Sequence, residues 1–230
     1  MTAPTVSRGR VPVRVLVLYL VYLFAAWWAS ELLLVPRLSA LSPLALALVR
    51  DVGLKVLLWL LPALLLIRKY EDRLALSRRD LFRAPDSWTL CLEVLALFAV
   101  CLLAGNLVRN HGLAIAPGFG LDDVLWLVFV GLCEETVFRG WLLNALWTRA
   151  DLEGPSLPWK PVAVTSVLFL LIHFPIWQRT GALLTNLTGG AFLSILVLSA
   201  VFSWTLWKTR TLTVPILLHT AWDLLVTLLA

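Results

Sequence analysis

The amino-acid sequence predicts an all-α fold, a polytopic bundle of about seven transmembrane helices, and three observations support that prediction. The chain of 230 residues is 60% hydrophobic and only 14% charged, whereas about a quarter of the residues in a soluble domain are charged. Its mean hydropathy is +0.90. The apolar residues form runs that approach the length of about 20 residues needed to cross a bilayer. No polar block is long enough to form a soluble domain.

Each predicted span is an apolar run bounded by charged residues or turn signals. The second run is interrupted near its start by Arg50, Asp51 and Lys55, which we expect near the membrane interface or facing protein. The fifth run is short, and we expect Pro175 to end or bend it because proline cannot donate a helical hydrogen bond. The spans are predicted at residues 13–35, 44–67, 88–108, 123–147, 161–175, 190–207 and 211–229.

The distribution of lysine and arginine predicts the orientation of the bundle. The N-terminus and the loops on its side of the membrane carry thirteen of these residues, among them Arg8, Arg10 and Arg14, and the loops on the other side carry three. Because positive loops remain in the cytosol, the N-terminus is predicted to be cytosolic. Topology thus accounts for the net charge of +5, and no nucleic-acid partner is expected.

Ionisable residues inside the apolar runs are the candidate functional residues. Inserting one into a bilayer costs roughly 2.5–3.5 kcal/mol, and such residues are usually functional. Glu31, Asp51 and Glu93 lie near predicted span ends and are interpreted as facing the interface. Six others lie deeper: Glu134, Glu135, Arg139, His173, His219 and Asp223.

The spacing of these residues predicts which of them share a helical face. Glu135 and Arg139 are four residues apart, so they can pair within one helix, and His219 and Asp223 have the same spacing. Glu134 projects about 100° away from Glu135 around the helix axis. One glutamate can therefore be neutralised by Arg139 while the other faces a cavity.

A glutamate and a histidine that face one cavity can deprotonate a water molecule and later protonate a leaving amine. Glu134 and His173 suit this chemistry because each lies roughly 18 Å from one end of its predicted span, so their depths overlap. His219 is placed to stabilise the oxyanion of an attacked amide. The motifs of other intramembrane proteases are missing from the sequence. The chain has no GxSxG motif for a serine nucleophile, no HExxH motif for zinc, and no second deep aspartate to pair with Asp223. Cys133 is not expected to act as a nucleophile, because nothing near it favours a thiolate.

Three stretches of the sequence resemble the motifs of one membrane-protein family. EETVFR at 134–139, FLLIH at 169–173 and HTAWD at 219–223 are similar to the EExxxR, FxxxH and HxxxN/D motifs of the CPBP family, the CAAX-protease and bacteriocin-processing proteins. The motifs occur in order, each on a separate apolar run. The resemblance divides the chain into N-terminal transmembrane helices of unassigned role (1–122) and a catalytic transmembrane core (123–230).

The resemblance implies a glutamic-type intramembrane endopeptidase that cleaves near the C-terminal tail of a membrane-associated protein or peptide, without a metal or other cofactor. By motif position it also implies roles, with Glu134 as the base and His173 its partner, Glu135 and Arg139 a supporting pair, and His219 and Asp223 the oxyanion side. Which glutamate is the base stays open. The family commonly has asparagine where this chain has Asp223, and an ionised aspartate cannot donate to an oxyanion, so we expect Asp223 to orient His219.

Two alternatives remain open at the level of sequence. Glu134, His173 and His219 are also a possible ligand set for catalytic zinc. A scaffold or immunity protein without catalytic activity is the second alternative. The substrate is equally open among prenylated CaaX tails, bacteriocin-type peptides and C-terminal sorting tails, and the oligomeric state is not predicted. The compact chain favours an integral protein of a bacterial inner membrane.

Overall fold

The computed structural model describes residues 9–229, except for the side chains of Leu121, Asp122 and Leu125, and this range contains helices and no β-strand. The predicted all-α class is therefore confirmed. Arg8, one of the residues used to predict the orientation, and Ala230, the end of the predicted core, lie outside the described residues.

Residues 9–110 contain four helices. Helix α1 (Val13–Ala29) continues through a π-helical turn (Ser30–Leu34) and a 3-10 turn (Val35–Leu38). Helix α2 covers residues 43–69 and contains two π-helical segments, Leu48–Leu54 and Val56–Leu60. A 3-10 turn (Glu71–Arg73) and two further helices follow, α3 (Arg78–Leu81) and α4 (Thr89–Asn110).

Residues 121–229 contain seven helices. Helix α5 covers residues 121–146 and changes from α-helical (Leu121–Glu135) to π-helical (Thr136–Leu143) directly after the glutamate pair. The others are α6 (Arg149–Glu153), α7 (Trp159–Leu171), α8 (Phe174–Arg179), α9 (Leu183–Thr188), α10 (Ala191–Thr209) and α11 (Thr213–Leu228).

Local sequence signals explain several helix starts. Ser42 begins α2 by accepting a hydrogen bond from the amide of Ala45, with Pro43 in the first helical position, where its missing N–H costs nothing. Thr148 and Asp151 form a reciprocal capping box at the start of α6. These caps satisfy amide groups that would otherwise lack a partner at the helix end.

Four helical segments within residues 9–229 are long and apolar enough to cross a membrane, namely Val13–Leu38, Thr89–Asn110, Trp159–Arg179 and Ala191–Thr209. The predicted count of seven spans is not confirmed. Helices α2 and α5 match predicted spans in position but carry buried charges, and α11 has only 16 residues. Large apolar side chains on the outer face of α4 are exposed, as expected for contact with lipid: Leu92, Leu97, Val100 and Val108.

The fifth predicted span is interrupted where the sequence places a proline. Helix α7 ends at Leu171, and α8 begins at Phe174 with Pro175 in its first turn. Since proline lacks an N–H and fixes its own φ, it fits a helix start and not a helix interior. The interruption leaves His173 between two helices, at the N-cap of α8.

Helix α5 lies at the centre of the bundle. It packs against α11 on one side and against α2 on the other, while α10 packs against α7 and α11. The approach of α5 to α11 depends on Gly131, because a Cβ atom there would lie 2.6 Å from Thr220 Oγ1. A residue without a side chain lets the two backbones approach closely.

The interpretation of Glu31 and Asp51 as interface-facing carboxylates is wrong, because both are buried within the protein, with exposures of 0% and 4%. Glu31 Oε2 accepts a hydrogen bond from Arg179 Nε at 2.7 Å, and Asp51 accepts two from Arg50, at 2.8 and 2.9 Å. Pairing offsets part of the cost of burying these charges. Glu93, by contrast, is exposed.

Candidate active site

The glutamate pair lies at the point where α5 changes from α-helical to π-helical geometry. Residues 133–145 are all buried, so this part of α5 is surrounded by protein. A π-helical segment inserts extra residues per turn, changes the direction of the side chains that follow it, and is frequently found at functional sites.

Glu135 is held on one oxygen by two donors. Its Oε1 accepts from Arg139 Nη1 at 2.9 Å, the pairing that the four-residue spacing predicts, and lies 2.7 Å from His219 Nδ1. Arg139 also donates from Nη2 to the hydroxyl and carbonyl oxygens of Ser199, at 2.8 and 3.1 Å. Glu135 and Arg139 are both 0% exposed. Helices α5, α10 and α11 are thus joined by one buried polar network.

Aromatic rings complete this network. The guanidinium of Arg139 lies 4.4 Å from the centroid of Phe169 and 5.5 Å from that of Phe202. The ring of Phe202 stacks on His219 with 5.1 Å between centroids and 17° between planes. Cation–π contact of this kind stabilises a positive charge that has lost its water.

His219 has a carboxylate near each ring nitrogen. Its Nδ1 contacts Glu135, while its Nε2 lies 3.4 Å from Asp223 Oδ2 and 3.9 Å from Glu134 Oε2. The side chain of Asp223 is 25% exposed and that of His219 only 7%. His219 and Asp223 therefore share a helical face, as their spacing predicts, and Asp223 is the more accessible of the two.

Glu134 points away from the Glu135 network and towards α2. Its Oε1 accepts from Lys55 Nζ at 2.6 Å, with both side chains buried. Its Oε2 is 3.9 Å from His219 Nε2, which is beyond hydrogen-bonding distance. The two adjacent carboxylates thus have different hydrogen-bond partners, while His219 lies close to both.

His173 is brought to the same part of the bundle by the interruption between α7 and α8. Its Nδ1 lies 2.7 Å from the carbonyl oxygen of Phe169, so this nitrogen carries the proton and donates. The ring of Phe169 stands between the two histidines, 5.1 Å from His173 and 5.9 Å from His219 between centroids. Both histidines are near enough to Glu134 to interact with it electrostatically.

The structure adds two polar side chains that sequence reasoning did not assign to the site, Lys55 and Ser199. Lys55 was noticed only as an interruption of an apolar run, and nothing indicated its partner, which is 79 positions away. The sequence did contain one indication: with Arg139 paired to Glu135, Glu134 still needed a cation, and Lys55 was one of the few other basic residues in an apolar run. Ser199 carried no signal, because serine is common in apolar helices.

The proposed zinc ligands do not form a metal-binding group. Within the part of the chain that the structure describes, no three or more His, Cys, Asp or Glu side chains are arranged to hold a metal ion. His173 uses one ring nitrogen on the Phe169 carbonyl, and Glu134 uses one oxygen on Lys55. Cys133 is fully buried beside these residues.

Comparison with known families identifies the C-terminal half of the chain. Residues 117–225 match the family model described as type II CAAX prenyl endopeptidase Rce1-like, and this range contains all six deep ionisable residues. Neither the curated proteins nor the solved structures gave a match. The match agrees with the resemblance seen in the three motifs. Residues 117–225, just under half of the chain, are therefore similar to the Rce1-like family of type II CAAX prenyl endopeptidases, and this match together with the apolar helices supports an integral membrane protein of the CAAX-protease type.

Proposed function

We propose that Glu134 is the base of a glutamic-type intramembrane endopeptidase. The observation that carries this proposal is the different environment of the two glutamates. Glu135 is fully enclosed, and its Oε1 is shared by Arg139 and His219. Each glutamate has one oxygen without a hydrogen bond among the described residues, but Glu135 Oε2 is fully buried, whereas Glu134 is 5% exposed and its Oε2 lies on the side of His219. A base needs a free oxygen that can reach water, and Glu134 meets that requirement.

In the proposed reaction, Glu134 takes a proton from a water molecule that also contacts His173. The resulting hydroxide attacks the carbonyl carbon of a peptide bond near the C-terminus of the substrate. The carbon–nitrogen bond then breaks, and the proton held by Glu134 passes to the leaving amine. No covalent enzyme intermediate forms, because water and not a side chain is the nucleophile, and the same carboxyl group acts first as base and then as acid.

His219 stabilises the oxyanion in this proposal. Since carboxylates only accept hydrogen bonds, both of its ring nitrogens can donate towards the groups they face. When a substrate carbonyl enters, Nε2 can turn its donor from Asp223 to the developing negative charge. Asp223, at 3.4 Å, orients the ring beforehand. Glu135 and Arg139 hold the other side of the imidazole in place.

The substrate class we propose is a membrane-associated protein or peptide with a C-terminal tail, and a prenylated CaaX tail comes first because of the family. Bacteriocin-type peptides and C-terminal sorting tails are the other candidates. The proposed site lies in a protein with four helices long and apolar enough to cross a membrane, so we expect its substrate to be a tail that a lipid anchor keeps at the bilayer.

The test is cleavage of a panel of membrane-tethered tails, including a farnesylated CaaX tail, by purified protein in lipid nanodiscs with a chelator present. Wild type is expected to cleave at least one tail, and Glu134→Gln to lose about 10²–10⁴-fold in kcat, the range for a removed general base. Glu93→Gln, a change at an exposed carboxylate, is the control and should cleave normally.

The other outcomes separate the alternatives. Full activity in Glu134→Gln would show that Glu134 is not the base. Cleavage that disappears with chelator and returns with zinc would favour a metalloprotease. A biological phenotype that Glu134→Gln retains in full would favour the scaffold reading.

A further inference from the structure

A buried cation from the N-terminal half reaches the proposed base. Lys55 lies on α2, outside the matched range of 117–225, and is only 5% exposed. Its Nζ donates to Glu134 Oε1 at 2.6 Å. Lysine is almost never buried unless its charge is paired. The N-terminal helices, whose role the sequence leaves unassigned, thus contribute a charged group to the site.

Two tryptophans surround the ammonium group. Lys55 Nζ lies 5.5 Å from the ring centroid of Trp27 and 5.1 Å from that of Trp59, and the two rings meet edge to face at 4.9 Å. Trp59 also contacts Phe138, which lies on α5 between the glutamates and Arg139. The faces of the two rings stabilise the ammonium group in its buried position and limit the directions in which the Lys55 side chain can extend.

Lys55 forms its ion pair with Glu134 and not with the nearby Asp51. Asp51 stands four residues earlier on the same helix, so it could have competed for the ammonium. Asp51 is instead occupied by Arg50, which donates to both of its oxygens at 2.9 and 2.8 Å. The π-helical segments before and after Lys55, Leu48–Leu54 and Val56–Leu60, help to direct these neighbours to different partners.

We propose that Lys55 is a positioning residue of the protease site, which acts on the reaction through Glu134. It keeps Glu134 ionised, as a base must be, and binds Oε1 so that Oε2 is directed towards the histidines. Trp27 and Trp59 hold the ammonium in that position. The inference rests on the proposed function, because it assigns Lys55 a role only if Glu134 is the base.

The first test measures kcat and KM of Lys55→Met and Lys55→Arg for a farnesylated CaaX peptide, or for whichever tail of the panel wild type cleaves. Lys55→Met is expected to lower kcat about 10–100-fold with KM within about twofold, because orientation of a reacting group is lost while substrate contacts remain. Lys55→Arg retains the cation and should recover part of that loss. Lys69→Met, the same change at an exposed position near the end of α2, should leave both constants unchanged.

The second test uses thermal unfolding and needs no substrate. Lys55→Met leaves Glu134 buried without its cation and should lower the unfolding temperature, whereas Lys55→Met with Glu134→Gln removes both charges and should recover most of it. If Lys55→Met does not fold, Lys55→Gln keeps a donor without the charge and is expected to show the same loss of kcat.

Particular results would overturn the proposal. A wild-type kcat in Lys55→Met or Lys55→Gln would exclude a positioning role. A positioning role would also be excluded if kcat fell only in proportion to the loss of folded protein and Lys55→Arg did not restore it. Full activity of Glu134→Gln would instead refute the proposed function, and the unfolding measurements would still report whether the ion pair exists.

Discussion

The two sides of α5 hold adjacent carboxylates in different ways. On the side of α10 and α11, Glu135 belongs to a network with Arg139, His219 and Ser199, and every bond in it lies within the family-matched range. On the side of α2, the one hydrogen bond of Glu134 to a described residue comes from Lys55, which lies outside that range. The first environment fixes a charge from several directions. The second has fewer partners and is less enclosed, since Glu134 is 5% exposed and Glu135 is 0% exposed.

The network around Glu135 is expected to contribute most to the free energy of unfolding. Arg139→Gln tests this expectation and should have the largest effect of the series. The change leaves Glu135 buried without its cation and removes the donor to Ser199, so the free energy of unfolding should fall by about 3–5 kcal/mol. Denaturant titration in mixed micelles measures it. Arg149→Gln, at an exposed position, is the control. A loss below about 1 kcal/mol would mean that His219 alone can hold Glu135.

The contact between α5 and α11 gives a smaller effect. In Gly131→Ala the new methyl would lie 2.6 Å from Thr220 Oγ1 and 3.2 Å from Thr220 N, so the helices must separate. Overpacking costs about 1–3 kcal/mol, and it should also lower kcat because Glu135 and His219 bond across this contact.

Gly105→Ala is the matched control for this substitution. Gly105 lies inside α4, and a Cβ there meets nothing within 4 Å. It should be neutral or slightly stabilising, by up to about 1 kcal/mol, since alanine favours helix over glycine. Wild-type stability and kcat in Gly131→Ala would show that the helix contact can relax without disturbing the site.

Asp223→Asn should have the smallest effect of the series. The 3.4 Å contact to His219 is long, and Asp223 is partly exposed, so its charge contributes little. Asparagine keeps the shape and can accept from the imidazole, so kcat should stay within about tenfold of wild type. His219→Ala is the comparison, and its kcat should fall as much as that of Glu134→Gln. A loss in Asp223→Asn as large as that would show that the charge itself is required.

Contacts within one helix could be predicted from spacing, and contacts between helices could not. The pairing of Glu135 with Arg139 and the shared face of His219 and Asp223 follow from a four-residue period. The partners Lys55 and Ser199 come from helices whose rotation and depth depend on packing throughout the bundle. The buried pairs of Glu31 and Asp51 were missed for the same reason.

Helix positions were predicted well because hydrophobic runs determine them locally. The predicted runs correspond to α1, α2, α4, α5, α7 with α8, α10 and α11, and Pro175 marks the interruption in the fifth. The number of membrane crossings could not be predicted from the sequence in the same way, because a buried helix can carry charges that neighbouring parts of the protein neutralise. Length and hydropathy cannot distinguish such a helix from one that faces lipid.

Among the described residues, two ion pairs cross between the halves of the chain, the buried pair of Lys55 with Glu134 and the pair of buried Glu31 with partly exposed Arg179. If the first half of this protein were joined to the second half of a distant relative, the relative would have to supply the matching partner for each ion pair. An orphaned partner costs about 3–5 kcal/mol, which is a large share of the roughly 5–15 kcal/mol that holds a typical protein folded. The halves are therefore constrained to evolve as one unit, and interchangeable parts can be found only among chains that share both pairs.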